Sequence, residues 1–311
     1  MKTMILTKEQ CNVEPCVATI GFFDGVHRGH RHLIRQVVEA AKEEGKMSMV
    51  ITFDRHPRQF LHPDTMPQML NTPDERERLL AEEGVDICVI LPFNNEIAAL
   101  SAREFMSDVL VGRLNVRHLI IGYDHRFGRN RADGFEDYVR YGTELGMEVS
   151  QSDAFSLDAE GVSSSVIRRM ISEGNVEGAS LRLGYCYSIT GKVVGGYQNG
   201  RKIGFPTANI KVEDSTKIIP QAGVYAVKVR SEAMQGVMSG MMNIGKRPTF
   251  GGESTSLEIN IFGFDGDLYG SVLSVMFVRK MRDERRFGTE AELIEQLTRD
   301  REEAERILDD C

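Results

Sequence analysis

The chain has 311 residues, of which 41% are hydrophobic and 27% charged, with 30 Gly and 9 Pro. That composition excludes a disordered, collagenous or mucin-like chain, and at roughly 100–200 residues per domain the length predicts two domains. The net charge of −8 argues against a general nucleic-acid binder. In the first half, residues 17–20, 47–53, 87–91, 118–122 and 147–149 are short apolar runs rich in β-branched residues, which predicts strands. Between them lie amphipathic helices. Leu33, Ile34, Val37, Val38 and Ala41 make one helical stripe. Thr72, Pro73 and Glu75 predict a capped helix start, and Ser101 with Glu104 predicts another. Strands alternating with helices imply a parallel sheet with helices on both faces and a ligand site at the carboxyl ends of the strands. From about residue 185 to 277 the pattern changes to successive strands, at 185–194, 223–230, 237–243, 256–262 and 272–278, with no helix-period segment between them. This predicts a small antiparallel barrel. A terminal helix follows, capped by Thr289 and Glu292, with Leu293, Leu297, Ala304 and Leu308 as its apolar face. The predicted domains are 1–182 and 183–311, the latter comprising a barrel over 183–289 and a helix over 290–309.

The cysteines, at 11, 16, 88, 186 and 311, are odd in number and have no CxxC spacing, which fits a reducing compartment. No apolar run approaches the ~18 residues of a membrane span, and the first nine residues are too polar for a signal peptide. A cytoplasmic protein without a membrane association is expected, with no obligate protein partner evident. Charge is uneven: residues 1–182 carry −7, 183–289 carry +5 and 290–311 carry −6. The basic middle segment suits a polyanionic small ligand or a solvated face.

Gly21-Phe22-Phe23-Asp24-Gly25-Val26-His27-Arg28-Gly29-His30 follows the predicted first strand and opens the first long helix. Glycines permit a tight turn, and the helix N-terminus offers free N–H groups to an anion. His27 and His30, three apart, share a helical face and can both donate to one phosphate. His27, His30 and His32 are alternatively a zinc set, though no Cys or HExxH accompanies them. The segment is neither GxGxxG nor GxxxxGK[ST]. Ser163, Ser164 and Ser165 precede Arg168. Hydroxyls at a helix start are commonly N-caps, while a guanidinium fork suits phosphate oxygens. In the second half, Gly204-Phe205-Pro206-Thr207-Ala208-Asn209 offers a hydroxyl and an amide oxygen, hard ligands that suit Mg²⁺; an ordinary Pro turn is the alternative. Glu258 and Asn260 share the strand face opposite Leu257, Ile259 and Ile261, and Glu258 reads either as a general base or as a solvated strand residue.

These motifs together resemble a known family. Gly-x-Phe-Asp-Gly-x-His-x-Gly-His resembles the nucleotidylyltransferase signature, and Ser163 to Arg168 resembles its Ser-Ser-Thr-x-Ile-Arg, with Ser165 in place of Thr. Thr52-Phe53-Asp54-Arg55-His56-Pro57-Arg58 looks like the flavin-side loop of bacterial FAD synthetases. Gly122-Tyr123-Asp124-His125-Arg126-Phe127-Gly128 resembles their Gly-x-Asp-Phe-x-Phe-Gly, with His125 in place of the usual aromatic. Pro206-Thr207-Ala208-Asn209, Asn243-Ile244-Gly245-Lys246-Arg247-Pro248-Thr249-Phe250 and the strand around Glu258 resemble riboflavin kinase motifs. The chain is therefore similar, over nearly its whole length, to the bifunctional riboflavin kinase/FMN adenylyltransferase family.

That resemblance implies a Rossmann-like nucleotidyltransferase domain followed by a riboflavin kinase-like barrel. It implies ATP as co-substrate in both steps and Mg²⁺ as Mg-ATP. Riboflavin, FMN and FAD would be the flavins, and ADP and pyrophosphate the by-products. In the first domain the ATP-binding residues would be Gly21, Phe22, Phe23, Asp24, Gly25, His27, Gly29, His30, Ser163, Ser164, Ser165 and Arg168, with His27, His30 and Arg168 catalytic. Phe53, Asp54, Pro57, Arg58, Asp124 and Phe127 would meet the flavin. In the barrel, Gly204, Pro206, Thr207 and Asn209 would hold ATP, Thr207 and Asn209 the metal, and Arg282 and Glu284 the flavin, with Glu258 as catalytic base.

Overall fold

The short β-branched runs of the first half form a six-stranded sheet: β1 (Lys2–Ile5), β2 (Cys16–Ile20), β3 (Met47–Phe53), β4 (Ile87–Leu91), β5 (Val116–Ile121) and β6 (Glu148–Gln151). All neighbours pair in parallel, in the order β1-β4-β3-β2-β5-β6. This computed structural model describes residues 1–7, 13–61, 63–123, 125–157, 161–196, 199–249 and 252–310, without the side chains of 63, 199, 246–249 and 252–254. Two compact units emerge, Met1–Pro67 with Asn71–Ser164 and Gln68–Leu70 with Ser165–Cys311.

In the first unit, β2 is buried along its whole length, as a strand covered on both faces must be. Helix α1 (Arg28–Glu43) returns over the sheet and buries Leu33, Ile34, Val37 and Ala41. Helix α2 (Pro73–Glu82) starts at the expected box: Thr72 Oγ1 accepts from Glu75 N at 3.2 Å, and Thr72 N donates to the Glu75 carboxylate at 3.0 Å. Ser101 and Glu104 form a second box. Helix α3 (Phe135–Leu145) packs beside β6. The edge strand β1 lies outside the sequence expectation. Its pattern is too exposed and too short to stand out, with Ile5 64% exposed.

The second unit is a closed antiparallel barrel, in the order β10-β11-β8-β7-β12-β9. Its strands are β7 (Ser188–Val194), β8 (Ala208–Lys211), β9 (Gly223–Arg230), β10 (Val237–Thr249), β11 (Gly252–Ile261) and β12 (Val272–Arg282). β7 alternates buried and exposed residues, the period-2 signature that the sequence shows. β8 occupies part of the predicted Pro turn. One short helical turn, Asn199–Lys202, interrupts the run that was expected to hold strands alone. β12 extends past the expected 278 because register shifts after Phe277 and Lys280 break its alternation. Helices α4 (Ser164–Ser172) and α5 (Val176–Leu183) bury Ile167, Met170, Ile171, Val176 and Leu183 in one core with Ile189, Tyr225 and Phe277 of the barrel.

Helix α6 (Glu290–Asp309) lies on the barrel through Ala304, Ile307 and Leu308 against Ala226 and Met241. One polar contact pins it. Arg282 Nε and Nη2 donate to both carboxylate oxygens of Asp300 at 2.7–3.1 Å, and Gln296 Nε2 adds a bond at 2.8 Å. Asp300 is 1% exposed. Removing one partner of such a pair strands the other charge. Asp300→Ala should therefore destabilise the barrel unit by about 3 kcal/mol. The checks are a lower melting temperature and faster amide exchange across residues 290–309; unchanged exchange there would show that apolar packing alone holds the helix.

Candidate active sites

The first site sits where the strand order reverses, between β2 and β5, at their carboxyl ends. The loop after β2 runs through left-handed backbone at Phe23 (φ 56°), Gly25 (φ 85°) and Val26 (φ 33°). Such conformations persist in non-glycine residues only when their surroundings fix them. Here Thr52 Oγ1 donates to Phe22 O (3.2 Å), Asn71 N donates to Asp24 Oδ1 (3.2 Å) and Ser164 Oγ donates to Asp24 O (2.8 Å). Asp24 is buried and braces the loop. Gly21 and Gly29 leave room for rings: a Cβ at Gly21 would press on Phe23, and one at Gly29 would press on His27.

His27 is the N-cap of α1 rather than a residue within it. Its Nδ1 accepts from His30 N at 3.2 Å. An accepting nitrogen carries no proton, which places the ring proton on Nε2. The His27 and His30 rings stack 3.5 Å apart, 13° from parallel. Burial pushes His30 well below the ordinary histidine range, and the nearby His27 and His125 lower it further. His30 Nδ1 is buried without a hydrogen-bond partner. Among the described residues the three-ligand cluster of His, Cys, Asp and Glu is Glu44, His118 and Glu148, without His27, His30 or His32, and His32 meets Gln36 at 2.9 Å.

The flanking residues separate into two kinds. Phe53, Asp54, Pro57 and Arg58 follow β3; Asp54 Oδ1 accepts from Phe93 N at 2.8 Å, and Arg58 is exposed. Phe127 is 8% exposed and stacks on Tyr138 at 4.3 Å, while Tyr138 Oη bonds the Phe127 backbone at 3.1–3.2 Å. It therefore anchors the loop in the core. Asp124 lies outside the described residues. Ser163 and Ser165 are exposed, and Arg168 lies one turn beyond Ser164 on α4.

The second site is built on strand register. Glu258 on β11 lies opposite Asn209 of β8 on one side and Asn243 of β10 on the other. Asn260, buried, donates to Pro206 O at 2.7 Å and fixes the turn before Thr207. Gly200 has no room for a Cβ against Phe205 O and Thr207, nor has Gly196 against the Asn209 side chain. Gly204 takes φ +83° to close that turn. An open cavity of about 430 Å³ borders Asn209 and is lined also by Val194, Gly195, Lys211 and Ser256. The Glu284 carboxylate lies against Gly245, where Asn243 and Ser256 also converge. Arg282 is committed to Asp300, so its guanidinium serves the α6 junction.

Asn243 and buried Asn260 lie beside Glu258 or on its face and are not among the candidate site residues read from the sequence. Asn260 is legible by alternation from Glu258, whereas Asn243 lies on another strand and is placed by pairing register. Arg76 sits in the charge-dense run Asp74-Glu75-Arg76-Glu77-Arg78, which reads as solvated.

A glycine turn at a switch point in one unit and a closed barrel that sets Glu258 between Asn209 and Asn243 in the other suit a two-site enzyme of nucleotide-dependent transfer. Family models agree: FAD synthetase matches residues 9–166 and riboflavin kinase residues 183–308. The chain is 38% identical to the bifunctional riboflavin kinase/FMN adenylyltransferase of Escherichia coli (strain K12), covering 94% of this chain and 92% of that one. It is 35% identical to the Bacillus subtilis (strain 168) protein of the same name, with coverage of 94% and 92%. A crystal structure described as a macrolide-efflux protein from Streptococcus pneumoniae superposes with a TM-score of 0.88 at 34% identity, covering 96% and 97%. Among the described residues of this chain, no helix is long and apolar enough to cross a membrane. The chain belongs to the bifunctional riboflavin kinase/FMN adenylyltransferase family, and is an enzyme with both activities.

The state of His30 has a consequence for stability. An unfolded His30 takes up a proton near pH 6.5, whereas the folded ring does so only at lower pH. The unfolded state then binds more protons in that window, so stability is present above it and is lost as pH falls. Melting curves at pH 7.5 and 5.5 should show a loss of up to about 1.4 kcal/mol per pH unit that is smaller in His30→Gln. An equal loss in both proteins would show that His30 is not buried as described.

Proposed function

We propose that the barrel makes FMN and the first unit converts it to FAD, with catalytic modules at 183–311 and 1–182. The Glu258 register with Asn209 and Asn243 carries the kinase half of this reading. An alcohol is a weak nucleophile at neutral pH. Glu258 accepts the proton of the riboflavin 5′-hydroxyl as its oxygen bonds to the γ-phosphorus of ATP and ADP leaves. Thr207 and Asn209 present oxygen donors that fit Mg²⁺, which when bound neutralises charge on the ATP phosphates. Gly204 and Pro206 shape the turn that carries them, and the cavity beside Asn209 is taken for the nucleotide. Glu284 orders the flavin side of this site, where Arg282 acts through its grip on α6.

In the adenylyl step a phosphate oxygen of FMN attacks the α-phosphorus of a second ATP, and pyrophosphate departs. The nucleophile is already ionised, so alignment and charge neutralisation suffice. Gly21, Phe22, Phe23, Asp24, Gly25 and Gly29 shape the ATP loop; His27 and His30 donate to the phosphates. Ser163, Ser164, Ser165 and Arg168 complete the nucleotide side. Phe53, Asp54, Pro57 and Arg58 face the flavin, with Phe127 holding the neighbouring loop that carries Asp124. The cytoplasm is the proposed location, since the odd cysteine count without CxxC spacing fits a reducing compartment.

Chromatography of flavins after incubation with riboflavin, ATP and Mg²⁺ tests this directly. FMN should appear first and FAD after it. Glu258→Gln should stop FMN formation yet leave conversion of added FMN to FAD nearly intact. His30→Ala should stop the sequence at FMN; losing one charge-stabilising donor lowers rate by ~10²–10³. Loss of both activities in either folded variant would refute the two-site assignment.

A further inference from the structure

Arg76 of α2 is 5% exposed, yet no carboxylate bridges it among the described residues. Its guanidinium makes one side-chain hydrogen bond, Nη2 to Phe53 O at 2.8 Å, and lies 4.3 Å over the Phe22 ring. A guanidinium carries five N–H donors, so most of its donor capacity is unused. Burial opposes its charge, and the more distant carboxylates Asp24 and Asp54 favour it. Both are already engaged, Asp24 by Asn71 N and Asp54 by Phe93 N and Arg55. A buried, unpaired charge is costly, and the first half of the chain is otherwise negative.

The two groups that Arg76 touches come from different loops. Phe22 belongs to the loop opening α1, and Phe53 ends β3 at the start of the flavin-side loop. Building on the reading of this unit as the adenylyltransferase, we propose that Arg76 is the binding residue for the 5′-phosphate of FMN. The ATP phosphates have the α1 N-terminus and the histidines. The FMN phosphate must lie between nucleotide and flavin, where Arg76 bridges the two loops, and a planar fork matches its oxygens. The same cation gives the site a means of choosing FMN over riboflavin, which lacks the phosphate.

The test is steady-state pyrophosphate release by the full chain with added FMN and ATP, with riboflavin phosphorylation measured in parallel. Arg76→Met should raise the KM for FMN by about 10–100-fold, the span of a charge-assisted hydrogen bond. The KM for ATP should move less than about threefold, and riboflavin phosphorylation should not change. Arg76→Lys keeps the charge but loses the fork, and should fall between wild type and Met. An unchanged KM for FMN, or FMN and ATP constants rising together, would overturn the proposal and leave Arg76 as a brace between loops. If Arg76→Met loses phosphorylation as well, Arg76→Lys decides: a raised KM for FMN alone supports the proposal, and wild-type constants overturn it. Wild-type protein that makes no FAD from FMN would instead refute the assignment of the unit, and this inference with it.

Discussion

Reversal of strand order at β2 is the constraint on which the first unit depends. β2 pairs with β3 on one side and β5 on the other, so the chain leaves the sheet centre in both directions and opens a crevice at the strand ends. The loop after β2 must cross that crevice and enter α1 with its N–H groups facing out. It does so at the cost of left-handed backbone at Phe23 and Val26, about 1–2 kcal/mol each. Three hydrogen bonds from Thr52, Asn71 and Ser164 hold it there. These bonds brace the strained backbone, as such conformations require.

The barrel achieves positioning by other means. Glu258, Asn209 and Asn243 are neighbours only because β8, β11 and β10 pair in one register. A slip of one residue would send Glu258 to the opposite face and Leu257 to its place. The apolar alternation of Leu257, Ile259 and Ile261, all in the barrel core, prevents that slip. The packing that stabilises the barrel thus also aims its carboxylate, and Asn260 extends the effect to the turn before Thr207.

Sequence legibility followed the range of the determining interaction. β3, β4 and β9, and the caps at Thr72, Ser101 and Thr289, rest on local periodicity or on contacts three residues apart, and they were legible. The motifs of both candidate sites, a glycine turn before a helix and a Pro-Thr-Ala-Asn turn, are also local. Arg282 was not legible: its partner Asp300 is 18 residues away on another element, and an arginine beside a flavin motif looks free in sequence. The burial of Phe127 against Tyr138 is likewise not local, because it depends on where α3 packs. Arg76 was hidden by the charges around it, because on α2 the buried and solvated positions carry the same residue types.

The two chemistries explain the unlike charge states of the two sites. In the proposed kinase step a neutral alcohol needs a proton acceptor, a role that the partly exposed strand carboxylate of Glu258 would fill. The adenylyl step starts from anions on both sides, and the protein must supply donors. A permanently charged imidazole stack would be unstable there, because two cations 3.5 Å apart repel. A neutral pair avoids this. His27 Nδ1 accepts from the backbone N–H of His30, and burial opposes a proton on the His30 ring. In the proposed adenylyl step, a polyphosphate beside the stack would supply the negative charge that compensates such a proton.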